Sequence, residues 1–178
     1  MRAIASRLLL DRLRYVPVDM AKPKKGQTSV VDAFGNTWSE CVPALAGDIA
    51  STESSVGLKM PAELARLFEA CAGGSPEWDF YESQAHDIEV SVGYVIPLQK
   101  AGMRDALTTV HQRIRKHQPT FPGDVFPFAY DNGHANLLCV RVKTGEVVYW
   151  VHDDADEPVR VVATTLQEFL SGLAEPPF

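Results

Sequence analysis

The densest group of potentially reactive side chains is an acidic run at residues 152–157 (HDDADE), where four carboxylates fall within five positions. Carboxylates and imidazoles are common ligands of divalent metals, so His134, His152, Asp153 and Asp154 could form the metal site of a hydrolase. The run lacks the D-x-[DN]-x-[DN]-G spacing of a calcium loop, and no two histidines have helical spacing. We therefore expect a solvated loop between two strands, with a metal-dependent hydrolase as the less favoured alternative.

Nucleophilic catalysis requires a serine, cysteine or lysine beside a base. The chain contains no GxSxG, GxGxxG or P-loop motif. Cys139 lies in the apolar run 137–140 (LLCV), where a thiol stays protonated and inert. Asp131 and Asp153 could be drawn as paired catalytic carboxylates, but any other pair of acidic loop residues would serve equally well. We predict a protein that is not an enzyme and that needs no cofactor and no metal.

Charge is distributed unevenly along the chain. Residues 1–25 contain seven basic and two acidic residues, a net charge of +5, whereas residues 26–178 contain ten basic and 21 acidic residues, a net charge of −11. An acidic body repels nucleic acid and attracts basic partners. The charge pattern therefore predicts a protein partner and no nucleic-acid binding.

The N-terminal part of the chain reads as a basic arm or linker covering residues 1–35. Pro17, Pro23 and the lysines around them are typical of a linker, and Met20 could be the true start. The apolar run 8–10 is too short for a signal peptide, and no apolar run approaches the ~20 residues of a membrane span. One domain over residues 36–175 accounts for the rest of the 178-residue chain.

Hydrophobic spacing inside this domain predicts four helices. The sequence TWSE at 37–40 resembles a capping box and predicts a helix running to about residue 49. Apolar stripes at helical spacing predict further helices over 60–71 and 103–114, the second with its basic side and His111 in solvent. A second capping box at 165–168 opens a short closing helix.

Alternating and short apolar runs predict strands at 88–96, 125–130, 137–142, 147–152 and 160–163. The turn at 143–146 is tight, so the flanking strands should form an antiparallel hairpin, with Gly145 at positive φ. Because helices and strands do not alternate strictly, we predict an α+β fold: a largely antiparallel sheet with helices packed on it.

The three cysteines, Cys41, Cys71 and Cys139, are widely spaced and form no CxxC motif. This pattern indicates neither a disulfide framework nor a zinc ribbon. Cys71 falls on the apolar stripe of a predicted helix, where we expect it to fill the core. Unpaired cysteines favour a reducing, cytoplasmic setting.

Five segments together resemble the SUKH superfamily, the Smi/Knr-type domains, over roughly residues 37–173. Residues 58–74 are similar to the early helix of the family, and residues 126–133 (FPFAYDNG) to its PFAxDxxG segment. Residues 136–142 (NLLCVRV) and 145–153 (GEVVYWVHD) are similar to the two strands that follow, and residues 164–170 (TTLQEFL) to the closing helix. One departure lies at 133–136 (GHAN), where His134 and Ala135 stand where the family often has a second glycine.

The resemblance implies a SUKH-like fold and a non-enzymatic binding domain. Most bacterial members of this superfamily resemble immunity proteins that neutralise a cognate polymorphic toxin, often a nucleic-acid-targeting enzyme, by direct binding. Other members act as regulatory or scaffold domains, which is the main alternative. The motif aromatics Phe128, Tyr149 and Trp150 are expected to pack internally, and Asp131 and Asn132 to shape a turn.

An acidic surface could bind the basic site at which such a toxin holds the phosphates of its substrate. Loops at the ends of a sheet vary without disturbing the core. We therefore predict that the toxin-binding residues are Asp131, Asp153, Asp154, Asp156 and Glu157.

Overall fold

The computed structural model describes residues 29–42 and 44–177. In chain order its strands are β1 (Val30–Val31), β2 (Thr37–Ser39), β3 (Ser75–Pro76), β4 (Phe80–Ser83), β5 (Ile88–Ser91), β6 (Tyr94–Val95), β7 (Val125–Tyr130), β8 (Leu137–Arg141), β9 (Val147–Trp150) and β10 (Val159–Ala163). The four helices within these ranges are α1 (Asp48–Val56), α2 (Ala62–Ala70), α3 (Leu107–His117) and α4 (Leu166–Ser171). The predicted α+β class is confirmed.

The main sheet has five strands in the order β10-β9-β8-β7-β6, and every neighbouring pair is antiparallel. Its strands β7 and β8 are almost entirely buried. Continuous burial of this kind indicates that both faces of the sheet are covered by other elements. Gly145 has φ +81°, as predicted, in the turn that returns the chain from β8 to β9.

Two helices bury the apolar stripes that the sequence predicts. The predicted stripe of α2, comprising Met60, Leu64, Leu67, Phe68 and Cys71, is at most 4% exposed throughout. At the start of α4 the Thr165 hydroxyl accepts a hydrogen bond from the backbone N–H of Glu168 at 3.0 Å, which confirms the N-cap of the second capping box. The Glu168 carboxylate accepts from the backbone N–H of Thr164 at 2.9 Å. The apolar side of α4 contacts β10 and α2.

The remaining strands form two smaller sheets. β1, β2 and β3 pair antiparallel in that order, and β4 pairs antiparallel with β5. The buried side of the β4–β5 hairpin packs on α4, where the rings of Tyr81 and Phe169 are 4.8 Å apart.

The helix predicted from residue 37 is wrong. Thr37–Ser39 is strand β2, and the first helix of the described residues begins at Asp48, after Gly47 with φ +91°. Trp38 is completely buried in the core, and its indole N–H donates to Asp32 Oδ2 at 2.8 Å. Burial of a tryptophan between strands outweighs a local capping preference, which is a weak signal.

Two other predicted elements differ in extent. The strand predicted over 88–96 is two strands, because β5 pairs with β4 whereas β6 pairs with β7. Between them, a Cβ on Gly93 would lie 2.5 Å from the Asp131 carbonyl oxygen, so the chain passes where only glycine fits. The third helix begins at Leu107, which leaves Met103 exposed before it, and His111 is buried where we predicted solvent.

The last residues of the predicted arm belong to the folded region and not to a linker. Residues 1–28, with Met20, lie outside the described residues. Within the rest of the arm, β1 pairs with β2, and the Asp32 carboxylate accepts hydrogen bonds from both Asn36 and Trp38. The Asn36 side chain also donates to the Leu170 carbonyl at 2.9 Å. The folded region therefore includes residues from Val30 onward.

The cysteines also differ from prediction, since Cys41 and Cys71 form a disulfide. Cys71 is nevertheless completely buried, as its place on the apolar stripe predicts. Burial likewise raises the pKa of the Cys139 thiol, which keeps it protonated as expected. The disulfide removes the cysteine argument for a cytoplasmic setting.

Candidate functional site

Two loops meet at one end of the main sheet, residues 131–136 between β7 and β8 and residues 151–158 between β9 and β10. We call them the sheet-end loops. They share this end because the intervening strands run antiparallel. The backbone N–H of His152 donates to Asn136 Oδ1 at 3.2 Å, and the imidazole Nδ1 lies 3.0 Å from the same oxygen. The fold thus brings all five predicted toxin-binding acids to one region.

Asp131 is committed to the fold. Its carboxylate is buried and accepts hydrogen bonds from the Tyr149 hydroxyl at 2.7 Å and the Asn136 amide at 2.8 Å. It also accepts from the backbone N–H groups of Ala135 and Asn136. Burial, followed by this hydrogen bond to Asp131, raises the pKa of Tyr149. The sequence therefore predicted correctly that Asp131 shapes the turn, and its carboxylate is poorly placed for a partner.

Asp154 shapes the second loop. Its carboxylate accepts hydrogen bonds from the backbone N–H groups of Glu157 at 2.9 Å and Asp156 at 3.1 Å, and from Arg160 Nη2 at 2.7 Å. The N–H of Glu157 first, then those of Asp156 and Arg160, lower the pKa of Asp154. This is an Asx turn closed by an ion pair, so Asp154 is also occupied within the molecule.

The remaining three acids of the second loop face solvent. The side chains of Asp153 and Glu157 are 71% and 73% exposed, and Asp156 is also exposed. Glu157 has a long contact of 3.8 Å with Arg160, and Asp153 lies 3.9 Å from the imidazole of His152. These three carboxylates are the part of the predicted set that a partner could reach.

The side chains suggested for a hydrolase are not assembled into a metal site. Within residues 29–42 and 44–177, no three His, Cys, Asp or Glu side chains are grouped to hold an ion. Asp154 and His152 are occupied by the loop contacts described above. His134 lies against the ring of Tyr94, with 5.2 Å between ring centroids, and burial lowers its pKa.

A second acidic surface, which sequence reasoning missed, lies on the β4–β5 hairpin. Glu82 is directly opposite Glu89 across the two strands, and both are exposed. Together with Asp87 they line a shallow cavity of about 560 Å³. We call Glu82, Asp87 and Glu89 the hairpin acids. Like charges placed directly opposite each other destabilise a strand pair. Among the described residues, no ion pair compensates any of the three.

Sequence reasoning also missed Trp78, whose side chain is 53% exposed. It lies next to Asp79, and Asp79 Oδ2 accepts a hydrogen bond from the Asn132 amide at 2.6 Å. The segment carrying Trp78 is therefore attached to the first sheet-end loop. Tryptophan is enriched among the residues that dominate binding energy at protein interfaces. A tryptophan flanked by two acids, Glu77 and Asp79, was the available sequence signal.

A sequence model of the SMI1 / KNR4 family (SUKH-1) matches residues 43–172, well over half of the chain. The chain belongs to this SUKH-1 family. The predicted resemblance to the superfamily is thereby confirmed. No curated protein matches the chain significantly. None of the helices in the described part of the chain has the length and apolar character that crossing a membrane requires.

The family match places both sheet-end loops, the hairpin acids and Trp78 inside the SUKH domain, and places β1, β2 and Cys41 before it. The departure from the family turn has a structural counterpart. His134 adopts φ +57°, the left-handed conformation that glycine takes most easily. The motif aromatics pack internally as predicted: Phe128 and Trp150 are buried, and Tyr149 is partly buried.

One arginine connects the SUKH domain with the residues that precede it. Arg104 Nη2 pairs with Glu40 Oε2 at 2.8 Å, and Arg104 also donates to the Gly73 carbonyl. Its guanidinium lies 4.7 Å from the centre of the Tyr94 ring, a cation–π contact. Because Tyr94 also packs against His134, this arginine lies between the N-terminal strands and the first sheet-end loop.

Proposed function

We propose that this chain is an immunity protein whose SUKH domain binds a cognate toxin and neutralises it by direct protein–protein contact, without catalysis of its own. The observation that carries the proposal is the exposure of Asp153, Asp156 and Glu157 at one end of a domain of the SUKH-1 family. The hydrogen bonds that occupy Asp131 and Asp154 within the fold argue against either carboxylate acting as a catalytic acid, base or metal ligand.

Electrostatics suggest what kind of toxin this is. An enzyme that acts on nucleic acid carries a basic cleft that attracts phosphate, and an acidic protein surface can occupy the same cleft. The net charge of −11 over residues 26–178 would attract such a toxin and repel nucleic acid itself. Trp78, attached to the same end of the sheet through Asp79 and Asn132, supplies an apolar anchor.

The predicted cytoplasmic location remains part of this proposal. An immunity protein must meet its toxin where the toxin's target is. The disulfide between Cys41 and Cys71 calls for a direct measurement of location, since disulfides are rare in reducing compartments.

Co-expression tests the function. The chain should restore growth to cells that express the toxic domain encoded beside its gene, and the two proteins should co-purify. A folded chain that leaves toxicity unchanged would overturn the proposal. Binding without protection would favour the alternative of a regulatory or scaffold domain.

Two triple variants with equal charge changes test the binding surface. The first carries Asp153→Asn, Asp156→Asn and Glu157→Gln in the second sheet-end loop. The control changes the hairpin acids with Glu82→Gln, Asp87→Asn and Glu89→Gln. Asp154 stays unchanged, because its loss would disturb the loop itself.

Association rates across a salt series separate the two surfaces. Steering by charge raises association toward about 10⁸ M⁻¹s⁻¹ at low salt, from roughly 10⁵–10⁶ for uncharged encounters. The sheet-end variant should associate more slowly, with a flatter salt dependence, than the hairpin control. Equal effects of the two variants would mean that both sets of acids contribute only to long-range attraction and that the interface lies elsewhere.

A further inference from the structure

The disulfide joins two parts of the chain that the family match separates. Cys41 precedes the matched residues 43–172, whereas Cys71 lies at the end of α2 inside them. We propose that this cysteine pair is a redox modification site. In its oxidised form it crosslinks the segment of residues 30–42 to the SUKH domain, and a dithiol reductant breaks this crosslink.

The local backbone is built to accommodate the crosslink. Val42 and Ala72, each next to one of the cysteines, exchange two backbone hydrogen bonds of 2.6 and 3.2 Å. A Cβ on Gly74 would lie 2.3 Å from Cys71 Sγ and 2.8 Å from Cys41 Sγ. Both contacts are too short for real atoms, so the two sulfurs occupy space that only glycine leaves open. A position shaped by both sulfur atoms indicates a site formed around the bond.

Glu40, next to Cys41, is held by the same arrangement. It adopts φ +60°, a conformation that is unfavourable for residues other than glycine, and its carboxylate pairs with Arg104. Opening the disulfide would free the chain at Cys41 and allow Glu40 to leave this conformation. The Arg104 guanidinium would then lose one of the contacts that hold it over Tyr94.

The two sulfur atoms differ in access, which sets the chemical order of reduction. Cys71 is completely buried and Cys41 is partly exposed. An external thiolate therefore attacks Cys41 Sγ and forms a mixed disulfide, while the bonding electron pair leaves on Cys71 Sγ, which takes a proton. The second thiol of the reductant then displaces Cys41 as a free thiol. In total, two electrons and two protons pass to the protein, and the reductant becomes a disulfide.

Reduction should weaken the fold without abolishing it. The crosslink spans 30 residues and restricts the unfolded chain, so its loss should lower the folding equilibrium constant by roughly a few hundred-fold. Trp38 remains anchored by burial and by its hydrogen bond to Asp32, so β2 should stay in place. The largest local change is expected at the amides of Val42 and Ala72.

Thiol counting and hydrogen exchange on the full chain test the proposal. Purified under non-reducing conditions and then denatured, the protein should show one reactive thiol, that of Cys139. Adding dithiothreitol should give three thiols, lower the denaturation midpoint and speed exchange at Val42 and Ala72. In the matched control, a Cys41→Ser, Cys71→Ser double variant, dithiothreitol should change neither midpoint nor exchange.

Three thiols without reductant, or a wild-type midpoint that dithiothreitol leaves unchanged, would overturn the proposal. The measurement on wild-type protein decides this even if the double variant does not fold. Reaction with glutathione, a monothiol, tests the order of attack. Peptide mapping should find the mixed disulfide on Cys41, and glutathione mainly on Cys71 would contradict the mechanism.

Discussion

Two acidic surfaces of this domain carry similar charge and use it differently. In the second sheet-end loop, Asp154 binds two backbone N–H groups and Arg160, so part of the charge shapes the backbone. On the hairpin, Glu82 faces Glu89 without a compensating ion pair among the described residues, and the charge only adds to the field. The availability of a carboxylate to a partner therefore depends on its hydrogen-bond partners more than on how many acids surround it.

The largest loss of stability should come from replacing Asp131, the buried acid at this end of the sheet. Asp131→Ala removes the acceptor of the Tyr149 hydroxyl, one of the two acceptors of the Asn136 amide, and the acceptor of the backbone N–H groups of Ala135 and Asn136. Partly buried polar groups that lose their partners are costly. We expect a loss of about 2–4 kcal/mol in the free energy of unfolding, measured in urea. Glu89→Ala on the hairpin is the control and should stay within about 0.5 kcal/mol. Equal losses of stability in the two variants would contradict the conclusion that Asp131 holds the fold together whereas the hairpin acids do not.

The turn at the opposite end of the sheet should matter next, because it keeps β8 and β9 in register and so sets the spacing of the sheet-end loops. Gly145→Val forces a β-branched residue to φ +81°, although nothing lies within 4 Å of its Cβ. Backbone strain alone should cost about 1–3 kcal/mol. Gly133→Ala, at a glycine without positive φ, should change little. An unchanged midpoint for Gly145→Val would mean that the turn relaxes freely.

Asp154 gives a pH-dependent effect confined to its loop. Its pKa is lowered from the ordinary 3.8, so the ionised form is favoured in the folded state. Its stabilisation is therefore complete well above pH 3.8 and is lost as the pH falls through the lower, folded-state pKa. Amide exchange at Asp156 and Glu157 should then accelerate in acid, after correction for intrinsic rates. Asp154→Ala, which removes the acceptor of both N–H groups, should show fast exchange already at neutral pH, and slow exchange there would contradict the role given to Asp154.

The smallest effect should come from the hairpin pair. Glu82→Lys converts a repulsive pair with Glu89 into an attractive one, so the domain should gain about 0.2–1 kcal/mol. Toxin dissociation should not change if the sheet-end loops form the interface. A destabilised Glu82→Lys variant would show that the two glutamates do not repel each other as their register indicates.

Sequence patterns predicted the C-terminal part of the fold closely. The run at 125–130 is β7 to the residue, and the strands and capping box after it lie within two residues of the prediction. These elements are governed by local signals: continuous apolar runs, a glycine turn and a Thr-Glu cap. The family motifs in the same region point to the same structure.

The N-terminal part was predicted poorly because distant contacts decide it. The capping-box pattern at 37–40 gives way to a strand because Trp38 is buried against residues far away in the chain. The disulfide joins two cysteines separated by 30 residues, and no rule based on cysteine spacing predicts this pairing. Such contacts leave no periodic signal in the sequence.

The candidate site divides in the same way. The acidic run, the turn residues and the family motifs can be recognised in the sequence, because each is local in the chain. The hydrogen bonds of Asp131 and Asp154, the pairing of Glu82 with Glu89 and the disulfide between Cys41 and Cys71 are visible only in the folded molecule. Hydrogen bonds, strand register and disulfides depend on distances between residues that the fold brings together.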